Sequence, residues 1–165
     1  YLRYHSHPTR LLVVDPENSA FYPGWLAAAG RGAETARPPA GLPSRIEGIG
    51  RARLEPSFIP SVIDHMVQVP DAASVAAMRH LRRYAGLHAG PSTGTNLWGV
   101  WQTVAHMLSE GRQGSVVSLM CDGGERYAGN YWNQDWLASQ GLRPEPYEAA
   151  ISNFLDTGQW LAPPA

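Results

Sequence analysis

Three short runs rich in apolar and β-branched residues punctuate the chain: 10–14 (Arg-Leu-Leu-Val-Val), 65–69 (His-Met-Val-Gln-Val) and 115–120 (Ser-Val-Val-Ser-Leu-Met). Between them lie longer segments whose apolar residues recur at helical spacing. Short strands alternating with helices predict an α/β fold of three layers, a mostly parallel sheet with helices on both faces. The 115–120 run has the apolar character of a strand buried on both faces. In such sheets ligands sit in loops beyond the carboxyl ends of strands. Two loops have that placement, 15–20 after the first run and 121–127 after the last.

The helical segments carry start and stop signals. Asp71 caps a helix over 71–85 with Val75, Met78 and Leu81 on one face, and Gly86 ends it. A second helix spans 95–110 and stops at Gly111. Shorter helices are expected at 134–139 and 147–157, and residues 1–7 read as a helix end broken at Pro8. The Gly/Pro/Ala-rich stretch 22–44 reads as a surface excursion with at most one helical turn near 25–29, and 46–60 as loop. Pro163 and Pro164 are expected in a disordered tail. The organisation is then one main body over 1–145 followed by a C-terminal helix and tail, 146–165.

Composition narrows the function classes. The apolar fraction is 44% but the charged fraction only 16%, against about 25% in ordinary soluble domains. Six tryptophans and seven tyrosines accompany those few charges, which suits a domain that hides surface against another domain or subunit. Trp98, Trp101, Trp132 and Trp136 are expected to pack in the core or at a subunit interface. A net charge of −1 gives no electrostatic footprint for nucleic acid or an anionic membrane. Every apolar stretch falls far short of the roughly 20 residues that cross a bilayer. The single cysteine, Cys121, excludes an internal disulfide and fits a reducing compartment, so cytoplasm is expected. No metal site is expected: His5 and His7 lack a third ligand, and His65, His80, His88 and His106 lack metal spacing.

Three stretches could carry chemistry. In Ala89-Gly90-Pro91-Ser92-Thr93-Gly94-Thr95-Asn96, small residues let backbone approach a flat ligand, and Ser92 and Thr93 present hydroxyls where a helix opens. A plain capped helix start has the same composition. Cys121-Asp122-Gly123-Gly124-Glu125-Arg126-Tyr127 follows a predicted strand, and reads equally as a tight turn with Asp122 bonding its own backbone. Ile46-Glu47-Gly48-Ile49-Gly50 could pass beside a ligand face or be a flexible loop.

In this order and spacing the three stretches resemble the C-terminal half of the cysteine synthase family, the fold type II pyridoxal-phosphate enzymes. Val14-Asp15-Pro16 to Ala20 is similar to a further stretch of that family, and the resemblance covers about residues 1–130. It implies that the chain is part of the cofactor-binding large domain. It also implies that Ser92 hydrogen-bonds the pyridine nitrogen and that Gly48 lies beside cofactor and substrate. Asp122, where synthases tend to carry serine, becomes the third candidate at the cofactor. All thirteen basic residues are arginine, so the family's Schiff-base lysine is not in this chain. The expectation is a C-terminal part that needs the missing N-terminal part of the same enzyme, probed further as a homodimer acting on an amino acid.

The departures, Glu47 for glutamine, the longer loop at 51–55 and Asp122, are closer to the actinobacterial cysteine desulfhydrase branch. That resemblance implies β-elimination of L-cysteine to sulfide, pyruvate and ammonia. The alternatives are β-replacement on O-acetylserine, as in the synthases, or a non-catalytic binding module derived from the fold.

Overall fold

The structure is a computed structural model that describes residues 1–31, 43–161 and 163. The chain forms two compact units, Tyr1–Gln68 and Val69–Ala165. Part of the expected excursion at 22–44, and Pro164, lie outside the described residues.

In the first unit, β1 (Leu12–Pro16) pairs with β2 (His65–Val69), close to the expected bounds. Leu11 O accepts hydrogen bonds from the amides of Asp64 (3.1 Å) and His65 (3.3 Å). The two strands therefore start side by side and run parallel, as strand–helix–strand alternation requires. α1 (Phe21–Ala28) opens soon after the loop beyond β1 and is longer than the single turn expected. Burial of Trp25, whose ring meets His65 edge-on at 6.0 Å, explains the extra length. Phe21 stacks on Phe58 at 4.5 Å. Leu54, from the lengthened loop, occupies the space that a Cβ on Gly24 would need. Residues 1–7 make one hydrogen-bonded turn closed by Ser6 at φ 49°, the left-handed geometry in which helices end.

The second unit is helical: α2 (Asp71–Ala85), α3 (Pro91–Ser109), α4 (Gln134–Ser139) and α5 (Glu145–Thr157). Asp71 is the first residue of α2 and not its cap; Pro70 holds the cap position and Asp71 is fully buried. Gly86 ends α2 at φ 67°, as expected. α3 starts four residues before the expected point, because Gly90 takes the cap and the fixed φ of Pro91 suits a first turn. Small residues Ala73, Ala76 and Ala77 give α2 a face that α3 approaches closely. At that contact a Cβ on Gly94 would run into the Ser74 carbonyl, and Ser74 and Thr95 share a buried hydroxyl–hydroxyl bond of 2.8 Å. α5 packs on α2 and buries Ile151 and Phe154. Trp98 is buried in an aromatic cluster, with Tyr147 at 5.6 Å and Trp160 at 4.8 Å.

The strand expected at 115–120 is not formed. The segment is extended and unpaired, with Val117 90% and Leu119 76% exposed. A strand needs a neighbour for its backbone groups, and among the described residues no strand lies alongside it. Its contact to the helices runs instead through Asn96, whose Nδ2 donates to Leu119 O at 3.0 Å. The apolar run registers a demand for a partner strand, and periodicity cannot say whether that partner is present.

Candidate functional site

Two of the three candidate stretches meet in the second unit. Residues 88–90 and 122–124 pair antiparallel: Gly90 N donates to Asp122 O at 2.9 Å and Gly124 N to His88 O at 3.1 Å. The pairing is close because both sides are glycine-rich. A Cβ on Gly124 would strike the His88 ring, and one on Gly90 would strike Asp122 Oδ1 and the Tyr127 ring. Gly90 sits at φ −78°, where any residue is comfortable, so its glycine is required by space alone. Thr93 adds a second tie, its Oγ1 accepting from Cys121 N at 3.0 Å.

Ser92 lies between these two ties, in the first turn of α3. It is 8% exposed, and its hydroxyl is bonded to no other described residue. Asp122 is held differently. The Tyr127 hydroxyl donates to Asp122 Oδ2 at 2.6 Å, a length typical of a bond to a charged acceptor. Asp122 Oδ1 is buried with no hydrogen-bond partner. Tyr127 itself is buried, its ring edge-on to Tyr131 at 5.4 Å. The arrangement offers one uncommitted hydroxyl and one uncommitted carboxylate oxygen beside bare backbone. Sequence reasoning missed Tyr127 as the residue that orients Asp122 and Gly90 as the gap that admits it. An aromatic hydroxyl five residues after the aspartate was the available signal.

The rim of this loop is also organised. His88 Nε2 contacts Arg82 at 3.0 Å, its Nδ1 lies 3.3 Å from Glu125, and its ring meets Trp132 at 4.8 Å. Cys121 is exposed, its sulfur 3.6 Å from Asn96 Nδ2.

The third stretch belongs to the first unit. Gly48 has φ 88°, a conformation that favours glycine, and nothing lies within 4 Å of where its Cβ would be. Open backbone of that kind can receive a flat group. The loop is fixed from both sides: Ile46 is buried, Arg51 N donates to Ser19 Oγ at 3.2 Å, and Ala20 N donates to Arg51 O at 2.7 Å. Arg45 pairs with Glu17 at 2.5 Å. Beside them Asp15 is buried, which pushes its carboxyl above the ordinary range. Bonds from Ser19 and the Tyr22 amide (2.9 Å) oppose that rise. Among the described residues there is no group of three potential metal ligands, and no helix long and apolar enough to cross a membrane.

Residues 1–122 match the family model described as pyridoxal-phosphate dependent enzyme. Over 160 residues, 97% of this chain, the sequence is 52% identical to an L-cysteine desulfhydrase of Mycobacterium tuberculosis, of which it covers 42%. Among solved structures, an O-ureido-L-serine synthase aligns over 83% of this chain and 40% of its own, with a TM-score of 0.57 and 24% identity. A cysteine synthase from Entamoeba histolytica aligns over 83% of this chain and 35% of its own, at TM-score 0.56 and 20% identity. The chain thus spans about 40% of the length of the relatives it matches, and their α/β fold is the one predicted from its alternating runs. On the family match and the extent of identity together, the chain belongs to the pyridoxal-phosphate dependent enzymes.

Proposed function

We propose that this chain is one wall of the cofactor site of a pyridoxal-phosphate dependent L-cysteine desulfhydrase. The reaction is β-elimination, converting L-cysteine and water to pyruvate, ammonia and hydrogen sulfide. The observation that carries the reading is the paired 88–90 and 122–124 backbone, which leaves Ser92 Oγ and Asp122 Oδ1 uncommitted within stretches that match the family. Identity of 52% to a desulfhydrase supports the choice of substrate.

The residues present fit the cofactor. A flat heterocycle with a polar edge needs close backbone and one or two directed polar groups, and an orphaned buried oxygen and a free hydroxyl supply them. When bound, pyridoxal phosphate supplies the electron sink that lets a proton leave Cα and a thiolate leave Cβ. Ser92 would hold the pyridine nitrogen by hydrogen bond, and Gly48 would lie beside cofactor and substrate. The Thr93–Cys121 and Gly90–Asp122 bonds keep the Ser92 turn fixed while substrate comes and goes. The amine that binds the cofactor covalently and moves the Cα proton would come from outside this lysine-free chain, so activity belongs to the longer enzyme. We further propose a cytoplasmic homodimer, which the scarcity of charge and the single exposed cysteine support.

Feeding L-cysteine to the full-length protein should release sulfide and pyruvate in equal amounts. Ser92→Ala should lower turnover while leaving most of the cofactor bound. Efficient cysteine formation from O-acetylserine and sulfide, with negligible sulfide release from cysteine, would reassign the enzyme to β-replacement. Full cofactor loading without either activity would favour a binding module.

A further inference from the structure

We propose that Asp122, positioned by Tyr127, sets how firmly the pyridine nitrogen of the bound cofactor holds a proton. The proposal rests on the reading of residues 90–96 as the cofactor wall and asks what the neighbouring carboxylate does there. Ser92 alone is a neutral partner, which leaves a pyridine nitrogen unprotonated near pH 7. The bonds Gly90 N to Asp122 O and Cys121 N to Thr93 Oγ1 bracket Ser92 and tie Asp122 to the same turn.

The carboxylate is fixed rather than mobile. Oδ2 accepts the Tyr127 hydroxyl, and Oδ1 occupies the space left by the missing Gly90 side chain. Oδ1 is buried and lacks a partner, a costly state for a charged acceptor unless a ligand donor completes it. A cationic ring N–H is a strong donor for that oxygen. The charged groups around Asp122 do not claim it. Arg126 Nη1 lies 3.9 Å from Oδ2, on the oxygen already bonded to Tyr127, and Glu125 lies toward His88. Tyr127 is therefore a positioning residue, and Asp122 acts on the nitrogen by charge and hydrogen bonding. The ring so protonated is a stronger electron sink than Ser92 alone would make it, which distinguishes this site from one with serine at position 122.

The test uses the full-length enzyme reconstituted with pyridoxal phosphate carrying 15N in the ring, and follows the nitrogen signal against pH. Wild type should show a protonated nitrogen at pH 7. Asp122→Ser and Asp122→Asn should move the protonation midpoint down by about 1–3 pH units, the usual effect of removing a nearby opposite charge. Tyr127→Phe should move it in the same direction by less. Asp122→Asn keeps the shape and still accepts from Tyr127, so it separates loss of charge from loss of fold. A wild-type nitrogen unprotonated at pH 7, or midpoints identical in wild type and both Asp122 variants, would overturn the role of Asp122. A purely structural Tyr127 would lower the melting temperature and leave the midpoint in place, which would overturn its positioning role. Failure of wild type to bind the labelled cofactor would instead overturn the site reading itself.

Discussion

Replacing Gly94 by alanine sets two well-defined effects against each other. Gly94 lies inside α3, where alanine is intrinsically favoured over glycine by about 1 kcal/mol. The added methyl would however meet backbone, not a yielding side chain: Ser74 C at 2.9 Å and Met78 N at 3.0 Å, with Ser74 O nearer still. Relief requires α3 to move away from α2. Separation would break the buried Ser74–Thr95 hydroxyl bond of 2.8 Å. Overpacking costs about 1–3 kcal/mol, and stranding the buried hydroxyls adds about 1–3 kcal/mol. Against the propensity gain, Gly94→Ala should destabilise by about 2–4 kcal/mol. The assay is urea denaturation of the full-length holoenzyme at fixed protein and cofactor concentration, followed by tryptophan fluorescence, since Trp98 and Trp101 lie on α3. Gly111→Ala is the contrasting control, because Gly111 has φ 63° and nothing within 4 Å, leaving only a conformational cost of about 1–2 kcal/mol. A Gly94→Ala enzyme as stable as wild type, or more stable, would refute the close α2–α3 contact.

Three further outcomes follow from the same geometry. His80, packed between Tyr84 (4.1 Å) and Trp101 (5.4 Å), is held below its ordinary pKa, first by burial and then by the Arg83 charge. The unfolded chain then takes up the proton first as pH falls, so this contribution is present above about pH 6.5 and lost below it; melting curves from pH 8 to 5 should be flatter for His80→Phe. Asp15 shows the opposite sign: its raised pKa makes ionisation unfavourable to the fold, so stability falls as pH rises from about 3.9 through the raised value. Asp15→Asn still accepts from the Tyr22 amide, and thermal melts should find it at least as stable as wild type at pH 7. Gly48→Ala and Gly30→Ala meet the same strain, about 1–2 kcal/mol, in equally open space; steady-state assays of the full-length enzyme should find catalytic loss at Gly48 and little at Gly30.

Legibility of the sequence depended on whether the deciding partner was local. The bounds of β2 and α4 follow from punctuation at Pro70 and from Asn133, whose side chain accepts from the amides of Asp135 and Trp136. The start of α3 was misplaced because Ser92-Thr93-Gly94 reads as a turn, while Pro91 and the Ser74–Thr95 contact make it helix. Residues 115–120 read as a strand from composition that expresses only a preference for burial, and pairing depends on chain elsewhere. At the site, Ser92 and Asp122 were named from motif order. The clamp by Tyr127, the space at Gly90 and the free Oδ1 are properties of packing that spacing does not encode.

The central claim is that residues 88–93 and 121–127 together form a wall against which pyridoxal phosphate is held. The most direct measurement is the visible absorption of the full-length holoenzyme, wild type against Gly90→Val, before and after borohydride reduction. Wild type should show a band that reduction abolishes. Valine would displace Asp122 and Tyr127 from the Ser92 turn, so the variant should retain its far-ultraviolet circular dichroism but lose at least about tenfold in cofactor affinity, equivalent to 1.4 kcal/mol. An unchanged band and unchanged affinity in Gly90→Val would contradict the account.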